Sequence, residues 1–269
     1  MQTSAGLQDG SINFQTTGAA YDRFMGRYSS PLAEAFLATS DLAIGRSALD
    51  AGCGPGALTS ALVAKLGASA VAAFDPSEPF VAECRARHPR VDVRLGRAEQ
   101  IPFDDAQFDF VFAQLVLHFV SDPSLALREM QRVARSGSLI AATVWEFANG
   151  MEMLRLFWDA ALSIDPATPD EARTLRFGRE GELETLFLEA GLEGVTETAL
   201  RVETSYTDYD ELWAGFQAGI GPAGAYCVTL SDAQQAAVRT GMYERLGSPT
   251  GPFTLSATAR CTRGLVRTP

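Results

Sequence analysis

The chain has 269 residues, of which 46% are hydrophobic and 20% are charged, and its formal net charge at pH 7 is −11. This length and hydrophobic content suffice for one α/β domain with an appended cap, and they exclude a largely disordered chain. An acidic chain without a dense run of Lys and Arg is poorly suited to a nucleic-acid backbone. We therefore expect no nucleic-acid partner.

The distribution of cysteine, histidine and apolar residues limits the remaining classes. The four cysteines are widely scattered and the two histidines lie in different segments, so neither a disulfide framework nor a metal site is expected. Residues 1–18 form a polar leader that we predict to be flexible and that lacks the apolar core of a signal peptide. No apolar run approaches the roughly 20 residues that span a bilayer. A cytoplasmic protein without stable membrane insertion is therefore expected.

Residues 19–145 predict an α/β core that begins with lid helices. Residues 19–38 carry apolar and aromatic side chains at helical spacing, and Pro31 suits the first turn of a second helix. Short runs rich in Val, Ala and Phe then alternate with helix-period stretches, which predicts a Rossmann-like, doubly wound parallel sheet. The predicted strands are 47–51, 70–75, 91–95, 108–113 and 138–144, and the predicted helices between them are 57–66, 79–88 and 124–134.

The pattern changes after Trp145. Residues 146–177 predict a cap insertion with an amphipathic helix around 151–164. Residues 178–269 predict the remainder of the core sheet, with a helix at 180–190, strands at 195–204 and 252–262, and a helical cap insertion at about 207–248. Within that insertion, helical stretches at 208–217 and 232–246 flank a Gly/Pro-rich turn at 221–224. Gly191 is expected to end its helix with a positive φ. The whole pattern predicts seven strands, mostly parallel with the last one antiparallel, and a helical cap.

The segment 50–57, Asp-Ala-Gly-Cys-Gly-Pro-Gly-Ala, joins a predicted strand to a predicted helix and is the most informative part of the chain. Its glycines permit a tight turn that brings the backbone close to a ligand. The spacing also satisfies the G-x-G-x-x-G/A pattern of dinucleotide enzymes, so an NAD-dependent oxidoreductase is an alternative. However, Pro55 lacks an N–H that a pyrophosphate would use, and Asp50 would repel a pyrophosphate but could pair with an amino group. Both features favour S-adenosylmethionine (SAM), which carries no phosphate.

Asp75 closes the second predicted strand. A carboxylate at this place in such a fold can accept hydrogen bonds from both ribose hydroxyls of a nucleoside. Alternatively, Asp75 caps the following helix, because Asp-Pro-Ser-Glu-Pro is favourable capping chemistry. The two roles can coexist.

Five segments in order resemble the motifs of class I SAM-dependent methyltransferases, and in particular the type 11 subgroup that includes ubiquinone and menaquinone C-methyltransferases. They are residues 50–56, Phe-Asp-Pro-Ser at 74–77, Gly-Arg-Ala-Glu-Gln-Ile-Pro-Phe at 96–103, Phe-Asp-Phe-Val at 108–111 and Leu-Val-Leu-His at 115–118. The resemblance covers roughly residues 21–144. It implies methyl transfer from SAM to a small molecule, with S-adenosylhomocysteine (SAH) as the product. It does not specify the acceptor.

The same resemblance implies a cofactor site. Asp50 and the glycines should hold the methionine end, Asp75 the ribose, and the backbone N–H of Ala98 an adenine ring nitrogen. The implied site comprises Asp50, Ala51, Gly52, Cys53, Gly54, Asp75, Pro76, Ser77, Arg97, Ala98, Glu99, Gln114 and Leu115. Residues 21–28 also resemble an N-terminal lid, in which Tyr21 would cover the cofactor and Arg27 would reach its carboxylate. The alternative for this segment is a helix that packs its aromatic face on the core.

Arg97 departs from the family pattern, which usually has Asp at this position to accept from the adenine amino group. Arg has no acceptor atom, so it either stacks on the adenine or points to solvent. The substitution also leaves a non-catalytic SAM-binding protein as an alternative.

Methyl transfer requires in-line approach of the acceptor and exclusion of water. His118 is the candidate general base if one is used, because an unperturbed pKa of about 6.5 suits proton removal near neutrality. The alternative for His118 is a packing role.

An apolar acceptor pocket is predicted from four aromatic residues: Trp145, Phe157, Trp213 and Tyr226. Such a pocket implies an aromatic or lipophilic acceptor, although aromatic residues at helical spacing are also typical of core. A protein substrate is a further alternative. The methylated atom (O, C or N) and the oligomeric state, monomer or homodimer, are left open.

Overall fold

The fold is a single mixed sheet between two layers of helices. A computed structural model describes residues 22–268. The strands are β1 Ala48–Ala51, β2 Val71–Asp75, β3 Asp92–Leu95, β4 Phe108–Gln114, β5 Ala134–Trp145, β6 Glu193–Tyr206 and β7 Phe253–Leu265. Their order across the sheet is β3-β2-β1-β4-β5-β7-β6. The first five strands are parallel, and β7 is antiparallel to both β5 and β6. The predicted fold class, including the antiparallel last strand, is confirmed.

Ten α-helices in the described part of the chain connect and cover these strands. They are α1 Arg27–Leu37, α2 Ala57–Leu66, α3 Glu78–Arg87, α4 Pro123–Val133, α5 Glu152–Ile164, α6 Glu171–Thr174, α7 Glu182–Glu189, α8 Tyr209–Gln217, α9 Gly221–Cys227 and α10 Asp232–Arg245. A π-helical turn, Asp22–Gly26, runs directly into α1. Gly191 follows α7 with a φ of 80°, as predicted.

Both faces of the central strands are buried, which is why these strands read as continuous apolar runs rather than as alternating ones. Every residue of β1 and β2 is buried. Alternate side chains enter different layers: Leu49 and Phe74 pack in the layer that contains α4 and α7, whereas Ala48 and Ala73 pack in the layer that contains α2 and α3. The carboxyl ends of β1, β2 and β4 consequently meet at one edge of the sheet.

Two local predictions were wrong. Pro31 does not begin a second helix but lies inside α1, because the chain continues from the π-helical turn without a break. Burial of Tyr28, Leu32 and Phe36 against the core offsets the backbone hydrogen bond that Pro31 cannot donate. The Gly/Pro-rich stretch 221–224 forms the start of α9 rather than a turn, since a proline fits the first turn of a helix.

The two insertions pack on each other and on the last strands. Helix α5 of the first insertion contacts α9 and α10 of the second. The chain around the start of α5 is tied to β7 by a hydrogen bond from Thr258 N to Gly150 O at 2.7 Å and another from Ser256 N to the Glu152 carboxylate at 2.7 Å. These contacts hold the insertions beside the ends of β5 and β7. The division of the chain at 145, 177, 207 and 248 stays a prediction.

Candidate functional site

The turn after β1 requires glycine at its first position. Gly52 has a φ of 79°, and a Cβ atom there would lie 2.5 Å from Val116 Cγ2. The N–H groups of Gly52 and Cys53 both donate to the carbonyl of Phe74, each at 2.9 Å. A residue with a side chain is therefore excluded at Gly52, both because of the positive φ and because of the contact with Val116. The two hydrogen bonds to Phe74 hold the turn directly against the end of β2.

The Asp75 carboxylate joins this turn to the start of α3. One oxygen accepts from Gly54 N at 2.9 Å and the other accepts from Ser77 N at 2.8 Å. Burial raises the pKa of Asp75 to about 6, although these two hydrogen bonds oppose the shift. Asp75 does not cap α3, because the N-cap is Ser77 and Asp75 accepts only from the N–H of that residue, which precedes the helix. Each carboxylate oxygen of Asp75 retains a second lone pair for a ligand.

Asp50 carries an unsatisfied acceptor at the same edge. Its side chain is only 1% exposed, and Oδ2 accepts from the Thr59 hydroxyl at 2.6 Å. Oδ1 is buried and has no hydrogen-bond partner among residues 22–268. Burial, together with the nearby Asp75 carboxylate, raises the pKa of Asp50 to about 7. A cationic or N–H-bearing ligand group would satisfy Oδ1 and favour the ionised carboxylate.

These turns line a cavity that is partly open to solvent. Of the cofactor residues named from the sequence, the cavity wall contains Asp50, Gly52, Cys53, Gly54, Asp75, Pro76, Ser77, Arg97, Ala98, Glu99, Gln114 and Leu115. It also contains residues that the sequence reasoning missed: Ser29, Pro55, Ala57, Leu58, Phe74, Phe80, Val116, Phe119 and Val120. Most of the latter are neighbours of the motif residues, and their apolar type carries no separate signal.

Arg97 and Glu99 lie at the rim of this cavity. The Arg97 side chain is 48% exposed, and its Nε lies 3.8 Å from a Glu99 carboxylate oxygen. The other Glu99 oxygen accepts from Ser121 N at 3.1 Å. Glu99 thereby fixes the end of the loop between β4 and α4, while the guanidinium of Arg97 stays near solvent.

Gln114 and Leu115 form the wall at the end of β4. The Gln114 amide donates to Ser29 O at 3.0 Å, whereas its Oε1 is buried without a hydrogen-bond partner in the described structure. Leu115 has a φ of 61°, a left-handed conformation that costs a non-glycine residue roughly 1–2 kcal/mol. Backbone strain of this kind concentrates at functional sites.

Two of the proposed cofactor residues within residues 22–268 are not in the wall. Ala51 is buried in the core below the turn. Arg27 forms an ion pair with Glu211, and its guanidinium lies 4.2 Å from the ring centroid of Tyr206, so it is directed away from the cavity. Tyr21 lies outside the described residues.

A second, smaller cavity adjoins the first. Leu115 and Phe119 line both cavities. We call this second cavity the chamber. Its wall is Phe24, Met25, Leu115, His118, Phe119, Trp145, Phe147, Leu154, Glu171, Ile220, Gly221, Pro222 and Ala223. It thus lies beyond the ends of β4 and β5, under residues from both insertions.

His118 lines the chamber but is a poor base there. Burial lowers its pKa to about 3, and Arg176 adds to the effect. Its Nδ1 is buried and lacks a hydrogen-bond partner among the described residues. An imidazole with this pKa accepts a proton weakly near neutral pH. The lowered pKa therefore argues against the general-base role that the sequence suggested for His118.

Of the four aromatic residues expected in an acceptor pocket, only Trp145 lines the chamber. Phe157 is completely buried and stacks on Phe216 with ring centroids 4.6 Å apart. The Tyr226 hydroxyl lies 3.2 Å from Thr168 Oγ1, and Trp213 borders a separate surface groove. Phe157 and Trp213 are buried and Tyr226 packs, partly buried, against the same core, so none of the three borders the chamber. Their contact with an acceptor stays a prediction, because helical spacing alone cannot distinguish a core residue from one that lines a pocket.

No helix within residues 22–268 is long and apolar enough to cross a bilayer. In the same residues, no three His, Cys, Asp or Glu side chains are grouped so that they could hold a metal ion.

The chain is similar to known methyltransferases. Residues 49–142 match the family described as "Methyltransferase domain". A malonyl-[acyl-carrier protein] O-methyltransferase of Salmonella typhimurium is 31% identical over 201 residues, which are 68% of this chain and 78% of the relative. An uncharacterized methyltransferase of Mycobacterium bovis is 35% identical, over 51% of this chain and 54% of the relative. The first listed curated relatives are matched over only 28% to 60% of their own length.

Solved structures share the fold. An N-methyltransferase of Haemonchus contortus, in complex with phosphomonomethylethanolamine and SAH, superposes with a TM-score of 0.61 at 15% identity, over all of this chain and 62% of the other. The YcgJ protein of Bacillus subtilis superposes with a TM-score of 0.57 at 17% identity, over 90% of this chain and 99% of the other. The chain belongs to the class I SAM-dependent methyltransferases, because it has their strand order and glycine turn and is 31% identical to the Salmonella enzyme.

Proposed function

We propose that this protein transfers a methyl group from SAM to a small-molecule acceptor that is aromatic or lipophilic. The observation that carries the proposal is the buried Asp50 carboxylate, which has one oxygen unsatisfied by residues 22–268 and lines the cavity beside the glycine turn. The amino group of SAM is a cation that would satisfy this oxygen. A pyrophosphate at the same place would meet a carboxylate, which disfavours a dinucleotide.

The residues around the larger cavity suit the other parts of SAM. Asp75 can accept from the ribose hydroxyls with its remaining lone pairs, and Gln114 Oε1 is a further unsatisfied acceptor in the wall. Ala98 would present its backbone to the adenine, and Arg97 lies near solvent at that end. When bound, SAM supplies a methyl group on a positively charged sulfur.

This chain's contribution to the reaction is to position the two reactants and to exclude water. Holding donor and acceptor in line can supply about 7–11 kcal/mol of the barrier reduction in favourable cases. Leu115 and Phe119 form the common wall of the two cavities, so a methyl donor in one and an acceptor in the other would meet there. Because the chamber wall is largely apolar, we infer an aromatic or lipophilic acceptor; methylation of O, C or N is compatible with it.

Calorimetric titration with SAH, with NADH as a second ligand, tests the proposal. We expect micromolar SAH binding and no NADH binding. Asp50→Asn keeps an acceptor for Thr59 but removes the charge, and should weaken SAH binding about 10- to 100-fold, since a hydrogen bond to a charged group contributes roughly 1.5–3 kcal/mol. Asp104→Asn, at an exposed loop position, is the matched control and should bind SAH normally.

Two other results would redirect the assignment. Binding of NADH in place of SAH would contradict it and support the oxidoreductase. Normal SAH binding without transfer of tritium from methyl-labelled SAM to any of a panel of phenols, quinones and amines would favour a non-catalytic SAM-binding protein.

A further inference from the structure

The chamber wall carries three polar groups in an otherwise apolar surface. Trp145 Nε1 and His118 Nδ1 are both buried and have no hydrogen-bond partner among residues 22–268. Glu171, at the start of α6, is only 4% exposed. One of its carboxylate oxygens accepts from Trp158 Nε1 at 2.8 Å, which anchors the carboxyl group in the wall.

These groups define what a complementary ligand must offer. The Trp145 indole can only donate a hydrogen bond, and an ionised Glu171 can only accept one. A ligand that satisfies both must accept one hydrogen bond and donate another. A hydroxyl group does both, whereas an arylamine donates but accepts only weakly, because its lone pair is delocalised into the ring, and a bare hydrocarbon does neither. The rings of Phe24, Phe119 and Phe147 in the same wall favour an aromatic body.

We propose that the chamber receives an aromatic hydroxyl compound and that Glu171 accepts the proton of its hydroxyl group during methyl transfer. The inference rests on the proposed function, because it requires SAM in the adjoining cavity. It identifies the acceptor as a phenol-type compound and the reaction as O-methylation.

The proposed step is balanced. The hydroxyl oxygen gives its proton to Glu171 and uses an electron pair to form the bond to the methyl carbon. The bond between sulfur and that carbon breaks, and its electron pair remains on sulfur, so SAM becomes SAH. Glu171 leaves the step neutral and returns its proton to solvent after the methyl ether departs.

The surroundings of Glu171 suit a proton acceptor that works near neutrality. Burial raises its pKa to about 7; the hydrogen bond from Trp158 and the charge of Arg155 oppose that shift, and the neighbouring Asp170 adds to it. Asp170 is itself paired with Arg155 at 2.8 Å. His118, the other titratable group in the chamber wall, is neutral at this pH because its pKa is lowered to about 3. Glu171 is thus the side chain of the chamber wall whose charge changes near pH 7.

The test compares ligands and variants in SAH-saturated protein. Calorimetry would measure binding of 1-naphthol, 1-naphthylamine and naphthalene from pH 5.5 to 8. The affinity of the wild type for 1-naphthol should increase as Glu171 ionises. Glu171→Gln retains an acceptor for Trp158, and should weaken 1-naphthol binding about tenfold at pH 8 and abolish the pH dependence. Naphthalene binding should be unchanged in this variant.

Two further variants keep the test decisive if Glu171→Gln is unstable. Trp145→Phe removes only the indole N–H, and should weaken 1-naphthol several-fold without affecting naphthalene. Glu189→Gln, at an exposed position of α7, should behave as wild type.

The inference is overturned if SAH-loaded protein does not bind 1-naphthol, binds naphthalene or 1-naphthylamine as tightly, or binds 1-naphthol equally in wild type and Glu171→Gln. Failure of the protein to bind SAH at all would instead overturn the proposed function, and this inference with it.

Discussion

The cofactor cavity and the chamber are built in different ways. The cofactor cavity is formed largely by short connections that leave the carboxyl ends of β1, β2, β3 and β4, and its buried polar groups include the carboxylates of Asp50 and Asp75. The chamber draws its wall from segments far apart in the chain, between Phe24 and Ala223, and its unsatisfied groups include the neutral side chains of His118 and Trp145.

The difference separates what the family shares from what belongs to this chain. A parallel sheet brings successive strand ends to one edge, so a cofactor cavity can be specified by local motifs alone. The chamber depends on how two insertions pack on each other and on the sheet. We therefore expect substitutions in the two regions to affect different measurements.

The largest expected effect is a difference in stability between a glycine substitution in the turn after β1 and one in the cap. Gly52→Ala should lower the free energy of unfolding by about 3–4 kcal/mol, because it combines a left-handed φ with a Cβ placed 2.5 Å from Val116. Gly221→Ala, in the chamber wall, also has a positive φ but meets no atom within 4 Å, so we expect a loss of about 1 kcal/mol. Urea denaturation would measure both, and equal losses would contradict the contrast.

The next largest effect is on how the free energy of unfolding changes with pH. The pKa of Glu171 is about 7 in the folded protein and near 4.5 in the unfolded chain, so the folded state binds more protons between these values. The free energy of unfolding of the wild type should therefore fall by about 3 kcal/mol relative to that of Glu171→Gln as the pH rises from 4.5 to above 7. Wild type should show the same trend relative to Asp50→Asn, because the pKa of Asp50 is also raised to about 7. Saturating SAH should suppress the trend for Asp50 only; suppression at both sites would argue against separate cavities.

SAH affinity should itself depend on pH through Asp50. With a pKa of about 7, the Asp50 carboxyl is mostly protonated at pH 6 and mostly ionised at pH 8. Because only the ionised form pairs with a ligand ammonium group, SAH should bind about tenfold more tightly at pH 8 than at pH 6. Calorimetry across this range should find a flat profile for Asp50→Asn. A flat profile in wild type would exclude Asp50 as the partner.

The smallest effect tests the N-terminal helix. Arg27→Met removes a partly buried ion pair with Glu211 and should cost about 1 kcal/mol of stability while SAH affinity stays within about twofold. Thermal denaturation and calorimetry on the same samples would separate the two. A large loss of SAH affinity would instead support the lid interpretation of this segment.

The sequence was sufficient for the sheet and for most of the cofactor cavity. Asp50, Gly52 and Asp75 lie in contiguous motifs at strand ends, so their convergence follows from the alternation of strands and helices. Arg27 and Ala51 were placed by resemblance and by adjacency, and only tertiary contacts show that one pairs with Glu211 and that the other lies below the turn.

The chamber could not be predicted in the same way. Phe157 and Leu154 lie on the same helix, three residues apart, yet only Leu154 reaches the chamber. Periodicity identifies a buried face but not which part of that face borders a cavity. Glu171 gave no signal either, because a single carboxylate in an acidic chain is typical of a solvated surface, and its burial depends on the hydrogen bond from Trp158.

The most direct test of the central claim is a crystal structure of the protein with SAH. We expect electron density in the larger cavity, with the amino group at Asp50 Oδ1, the ribose hydroxyls at Asp75 and the sulfur facing Leu115 and the chamber. Density with the ribose elsewhere, or an empty cavity in crystals saturated with SAH, would contradict the account.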